Sequence, residues 1–240
     1  MIFYENLENY IAKERIRLGT LHRANIPEFG VISQIFAANI NHDKKTHDKK
    51  TDPADYSVTH PVAELEVDAQ GIVGDRHRCH IRPSTGREYS LYPRGMAVRQ
   101  HRHLLLVSNY DCKALSEKLG VEVTPQLLGA NLVIEREDQQ DYSLSELPPG
   151  THMLVLPPDA QGIPKPPLAT IVHYVKQQGC GVTGNAIAHR YHDQSLVKAF
   201  RNIAANHRGI VCSVEYPGES TARLKAGQKV AFRFSSAITP

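Results

Sequence analysis

The sequence predicts a mainly β fold with helices inserted in its connections, an α+β chain that closes into a barrel-like single domain. Three observations predict it. Short apolar or alternating runs recur along the chain (VISQIF, LLLV, NLVI, MLVL, ATIVHYV). Turns rich in Pro and Gly separate them, as in PPG at 148–150 and YPGES at 216–220. Helical stretches are few and do not alternate regularly with the strands, which disfavours a doubly wound sheet. A chain of 240 residues is long enough to bury a substantial core.

Each element has a local reason. Leu7, Tyr10, Ile11 and Leu18 recur at roughly helical spacing, so residues 4–18 read as a short amphipathic helix. That helix belongs to an N-terminal extension over 1–27, and the main domain spans 28–238. Gly30 opens the first strand. The tract HDKKTHDKKT at 42–51 repeats one five-residue unit with no apolar member, and reads as a charged, mobile insertion. Ala63, Leu65 and Val67 alternate with Glu64, Glu66 and Asp68, the pattern of a half-buried strand. LLLV at 104–107 reads as a buried strand.

Ser108 with Asp111 three residues on is a helix-start box, and Gly120 is the stop; Cys112, Leu115 and Leu119 share the apolar face between them. A long polar, helix-like segment follows residue 185. Another helix is expected over about 194–206, with Leu196, Phe200 and Ile203 on one face. The last two strands align Ile210, Cys212 and Val214, then Val230, Phe232 and Phe234.

Composition narrows the function. The formal net charge is +3, with no dense Lys/Arg face, so nucleic-acid binding is not expected; the slight basicity suits a small anionic ligand. No run approaches the ~18 apolar residues of a membrane span. The N-terminus lacks the apolar core of a signal peptide. Cys79, Cys112, Cys180 and Cys212 form no CxxC pair and suit reduced thiols in a cytoplasmic protein.

Four stretches could carry chemistry. GIVGDRHRCH at 71–80 joins two glycines to Asp75, Arg76 and His77. Gly74 lets the backbone approach a ligand, Arg76 offers a fork of donors for phosphate or carboxylate, and His77 titrates near neutrality. The same stretch, with His77, Cys79 and His80, and with His101 and His103 further on, is also a partial zinc-ligand set. YPRGMAVRQHRHLLLV at 92–107 places Arg94, Arg99 and Arg102 ahead of a buried strand, where they could bind an anion. LLGANLVIE at 127–135 brings Asn131 to a strand entrance. QQGCGVTGN at 177–185 sets Cys180 between two glycines, with Lys176, His189 and Arg190 close in sequence; cations near a thiol favour the nucleophilic thiolate. From residue types alone, Cys180 is either a working thiol or a small residue in a tight turn. Cys112 and Cys212 lie on apolar faces and read as inert.

In order, GIVGDRH, RGMAVRQHRHLLLVS, LGANLVIE, LPPGTHMLVL, GCGVTG and RGIVCSVEYPGESTARLKAGQKVAF resemble the MOSC domain, the module named for the C-terminal part of molybdenum-cofactor sulfurases. The resemblance covers about residues 28–234. It implies a MOSC-type β-barrel in a stand-alone protein of bacterial type. It also implies a cysteine, by position Cys180, that carries sulfur as a persulfide or ligates molybdenum in the molybdopterin cofactor. Gly74, Asp75, Arg76, His77, Asn131 and one or more of Arg94, Arg99 and Arg102 would then form the cofactor pocket. The chain is too short for the pyridoxal-phosphate domain of full sulfurases. A cysteine desulfurase or another sulfur donor protein is therefore the expected partner. Gly179 stands where the family often has proline, and Ala130 replaces the usual carboxylate of its GEN triplet. The competing expectations are a zinc-dependent hydrolase using the His/Cys-rich segments and a non-catalytic anion-binding barrel.

Overall fold

The computed structural model describes residues 29–38, 58–75, 77–84, 92–138, 140–158, 166–215 and 221–234. The helix expected over 4–18 and the 42–51 repeat lie outside them.

Seven strands close on themselves. These are β1 (Phe29–Ala38), β7 (Leu104–Val107), β8 (Leu132–Arg136), β9 (Thr151–Val155), β10 (Ala169–Lys176), β11 (Ile210–Glu215) and β13 (Lys229–Phe234). Their order is β13-β9-β10-β11-β7-β8-β1, and β1 returns to pair with β13. Closure leaves the wall no open edge. All pairs are antiparallel except β7 with β8. A parallel pair needs a crossover connection, supplied by α1 (Asn109–Leu119) and the short α2 (Pro125–Leu128). A three-stranded sheet of β3 (Glu64–Asp68), β4 (Gly71–Ile72) and β12 (Ala222–Lys225) packs Leu65, Val67, Ile72 and Leu224 into the barrel core. The short β2 (Thr59–Pro61) pairs with β1, and β5 (Ile81–Pro83) with β6 (Ala97–Arg99) forms a separate hairpin.

Strand period decides which side chains go where. Along β7, Leu104 and Leu106 join the barrel core, while Leu105 and Val107 join an outer cluster with the helices. The same split separates Leu132 and Ile134 from Val133, and Ile210 and Cys212 from Val211. LLLV is a continuous apolar run because both of its faces are covered. The outer layer comprises α1, α2, α3 (Gly181–Tyr191) and α4 (Ser195–Ile203), which contribute Leu115, Leu128, Ile187, Leu196 and Phe200 to that cluster.

The expected capping box is present. Ser108 accepts from Asp111 N, the Asp111 side chain accepts from Ser108 N, and Gly120 takes a left-handed conformation at φ 70°. The helix expected over 194–206 is α4 followed by a 3₁₀ turn, Ala204–Asn206. Cys112 and Cys212 are buried as expected. No described helix is long and apolar enough to cross a membrane.

Candidate functional site

The site is built where β10 ends and β11 begins. The two strands are antiparallel neighbours, and their pairing continues one step past the ladder: Gln177 N donates to Gly209 O at 3.0 Å. Residues 177–180 leaving β10 therefore run beside 207–209 entering β11. Gly209 has φ +74°, and a Cβ there would stand 1.9 Å from Leu106 O, so only glycine lets this loop lie against β7. Its N–H donates to Ser145 Oγ at 3.0 Å. Ser145 sits in the turn that buried Asp111 anchors through Ser143 Oγ (2.5 Å) and Leu144 N (3.1 Å). Burial raises the Asp111 pKa, and those bonds together with two from Ser108 oppose the rise. The loop carrying Arg208 is thus tied down on both sides.

Cys180 is the N-cap of α3. Its extended backbone (φ −131°, ψ 156°) turns into the helix, Gly184 N donates to its carbonyl, and Thr183 N donates to Sγ at 3.5 Å. Sγ is also 3.5 Å from Thr183 Oγ1. The Arg208 side chain is only 4% exposed and lies over the Phe200 ring, 5.6 Å from its centroid. It donates to Gln178 O and, at 2.5 Å, to Thr183 Oγ1. With that oxygen already accepting, the Thr183 hydroxyl proton is available to a thiolate. Burial pushes the Cys180 pKa up, but the Arg208 charge and the Thr183 bonds outweigh it and bring the group from 9.0 to about 7. The helix N-terminus acts in the same direction. The result is a half-buried thiol that is substantially ionised at neutral pH.

The stretch starts a helix, which Cys180 caps. The two flanking glycines differ: Gly181 has open space beside it, whereas a Cβ on Gly179 would come within 2.8 Å of Arg201 Cα and O. Gly179 therefore permits α4 to pack against the loop, which also accounts for its standing where proline is common. Of the cations nominated as sequence neighbours, His189 and Arg190 occupy the last turn of α3, ~15 Å of helix away. The effective cation is Arg208, 28 residues downstream. Local sequence held no signal for it, because the contact exists only through strand pairing.

The other nominated residues assemble elsewhere. Arg99 forms a two-pronged pair with Glu215 (2.7 and 2.8 Å) at the opposite end of β11, ~20 Å of strand from Gly209. His103 is buried there, accepting from Val214 N at 3.1 Å. Gln100 Nε2 donates to His77 O and so ties the 71–80 turn to the same end. Within that turn, Asp75 Oδ1 accepts from His77 N at 2.6 Å and contacts His77 Nδ1 at 3.0 Å, and Gly74 has φ +84°. Arg94 is exposed in the turn before β6, and Arg102 is half-buried between β6 and β7. Arg76 lies outside the described residues. Asn131 is committed to the barrel wall: its Oδ1 accepts from Leu105 N at 2.9 Å and its Nδ2 faces Phe36 O at 3.5 Å. Ala130, beside it, is fully buried.

An open cleft of about 400 Å³ lies at the hairpin, lined by Ala69, His80, Ile81, Ala97, Val98 and Arg99. His101 stacks on Tyr174 with centroids 4.5 Å apart. No three His, Cys, Asp or Glu side chains among the described residues converge as a metal site, so the zinc-ligand set is not drawn together. Among the described groups nominated for a molybdopterin phosphate, none hydrogen-bonds Cys180 or shifts its pKa. The described residues therefore do not fit that cofactor at the thiol, and no step below is routed through it.

Comparison with known proteins bears on the family and the fold. The MOSC domain family model matches residues 77–231. The YuaD protein of Bacillus subtilis, named as a candidate metal-sulfur cluster biosynthesis protein, is 30% identical over 163 residues, 67% of this chain and 77% of YuaD. The crystal structure of YuaD superposes with a TM-score of 0.64 at 24% identity, covering 85% of this chain and 95% of that one, and shares the fold. YiiM from Geobacillus stearothermophilus gives a TM-score of 0.48 at 13% identity, over 85% of this chain and 75% of that one.

Proposed function

The chain belongs to the MOSC domain family, and from that premise we propose that it is a sulfur carrier that holds a persulfide on Cys180. The observation that carries the reading is the environment of Sγ: an N-cap thiol, half-buried, with Arg208 and Thr183 drawing its pKa to about 7.

The chemistry follows from those groups. The Cys180 thiolate attacks the outer sulfur of a persulfide on a donor. The donor S–S bond breaks, the donor leaves as a thiolate with the bonding pair, and Cys180 gains one sulfur. No external oxidant or reductant is needed. Arg208 and Thr183 then face a terminal sulfur that is itself anionic, so the contacts that ionise the thiol also hold the product. Cys112, pushed up to about 12 by burial, and Cys212, raised well above its ordinary value by burial, are unreactive by the same logic. The role in metal-sulfur cluster biosynthesis named for YuaD extends to this chain as the destination of that sulfur.

Mass spectrometry after incubation with a cysteine desulfurase and L-cysteine tests the proposal. A +32 species on Cys180, absent from Cys180→Ser, is expected. No such species, or one found equally on Cys112, overturns it.

A further inference from the structure

Cys180 and the cation that ionises it sit on different segments. Their separation is set by whatever fixes residues 207–209 against residues 177–180. The side chain of Arg208 is braced by Phe200, Thr183 and the Gln178 carbonyl. Its backbone is held from a third segment.

The next residue, Gly209, is pinned by one hydroxyl. Gly209 N donates to Ser145 Oγ at 3.0 Å, and Ser145 Oγ in turn donates, more weakly, to Gly209 O at 3.5 Å. That same carbonyl accepts from Gln177 N at 3.0 Å. Gly209 O is therefore the joint between the segment leading to Cys180 and the segment carrying Arg208, and Ser145 holds that joint. Ser145 is 1% exposed, so solvent does not stand in for its hydroxyl.

Ser145 itself stands on fixed ground. It lies in the 3₁₀ turn Leu144–Glu146, and Leu144 and Leu147 anchor that turn in the barrel core. At the start of the turn, Ser143 Oγ and Leu144 N donate to the buried Asp111 carboxylate, which also accepts from Ser108 N and Ser108 Oγ. The acid that caps α1 thus also fastens the turn that carries Ser145.

We infer that Ser145 is a positioning residue for Cys180: acting through Gly209, it keeps the Arg208 guanidinium in register with Thr183 and the thiol. The inference rests on the carrier reading above and names a further residue for that reaction. Its physical basis is the cost of an unpaired buried donor. Without the hydroxyl, Gly209 N–H has no acceptor, and the 207–209 loop relieves that cost by moving. Arg208 moves with it. In a buried site the field of a charge is poorly screened, so a small displacement of the guanidinium changes what the sulfur feels.

The test follows iodoacetamide alkylation against pH, read at Cys180 by mass. In Ser145→Ala the midpoint is expected to rise by roughly one unit, which slows alkylation at pH 7 about fivefold. Ser145→Cys keeps the shape with a weaker acceptor, so it serves if Ser145→Ala does not fold, and its midpoint should rise by a smaller step in the same direction. Ser116→Ala is the matched control. Ser116 Oγ accepts from Val123 N and donates to Cys112 O, each at 2.8 Å, so its loss loosens α1 without removing a bond to Gly209. Its midpoint should stay within about 0.2 units of wild type. In an Arg208→Met background, Ser145→Ala should move the midpoint no further, because Ser145 works through that cation. An unmoved midpoint in the folded Ser145 variants, an equal rise in Ser116→Ala, or a further rise on top of Arg208→Met overturns the positioning role. Charging by free cysteine persulfide is a separate readout. Wild type that gains no +32 species overturns the carrier reading, and the midpoints still decide what Ser145 does.

Discussion

The two ends of β11 carry similar residue types and do opposite things. At its start, Arg208 is 4% exposed, braced by Phe200, and directed at a thiol with no carboxylate in the same loop. At its end, Arg99 is an exposed guanidinium that closes on the Glu215 carboxylate. The buried cation and the Thr183 bonds together outweigh burial and move Cys180 from 9.0 to about 7, about a hundredfold in equilibrium terms. The exposed pair is screened by water and contributes little. Between them the same ladder holds Cys212 opposite His173, both inside the barrel. There burial acts with little charge to oppose it. The thiol is driven well above its ordinary value, and the histidine is driven from 6.5 to about 4. What one strand teaches is that burial neutralises, and that burial beside a fixed cation ionises.

The largest effect that can break this comparison is at Arg208. In Arg208→Met the desolvation of Cys180 is no longer outweighed. A thiol returned to its ordinary value of 9.0 is about 1% ionised at pH 7, against about half for a pKa near 7. Iodoacetamide alkylation of Cys180 at pH 7 is expected to slow by up to ~50-fold, with the midpoint of its pH profile moving up by about two units. An unchanged midpoint would show that the helix N-terminus and Thr183 suffice.

An intermediate effect is expected from the barrel interior. His173 and His103 both have folded pKa values near 4, below the 6.5 of an unfolded chain. Below pH 6.5 the unfolded state binds the additional protons, so stability falls as pH drops from about 6.5 to about 4 and then levels. Each histidine contributes a slope of up to ~1.4 kcal/mol per pH unit within that window. His173→Gln should flatten the urea-unfolding pH profile by about one such slope. A parallel, merely displaced profile would mean that His173 is already charged in the fold.

The smallest effect is at the far end. Arg99→Ala removes an ion pair whose side chains are 61% and 40% exposed, and should cost no more than ~0.5 kcal/mol. Persulfide charging of Cys180 should stay within about twofold. A large loss of charging would tie the two ends of β11 together through the barrel.

Much of the fold was legible residue by residue. The alternation of Leu65 and Val67, the Ser108–Asp111 box with Gly120, and the apolar stripe of Leu196 and Phe200 are local patterns, and each element formed where its pattern lies. The short α2 was not foreseen, since in sequence it looks like a turn before Asn131. Thr124 caps it, Pro125 starts it and Gly129 ends it within four residues, too few for any periodicity. Cys180 was distinguishable from Cys112 and Cys212 by its glycine neighbours and by its place in the family order. Its activating group was not. His189 and Arg190 are nearer in sequence, but the helix that Cys180 itself caps carries them away from it.

Strand period, capping chemistry and turn residues act over a few positions, so the chain's own order specified which segments become strands and helices and which thiols are buried. The pairing of Cys180 with Arg208 is of another kind. It arises because β10 and β11 are antiparallel neighbours, because Gly209 lets the entering loop lie within contact of Leu106, and because Gly179 lets α4 close over the other side. Each of these is a contact between segments distant along the chain, formed once the barrel closes. Burial then strengthens the Arg208 field that bare proximity in water would have left weak.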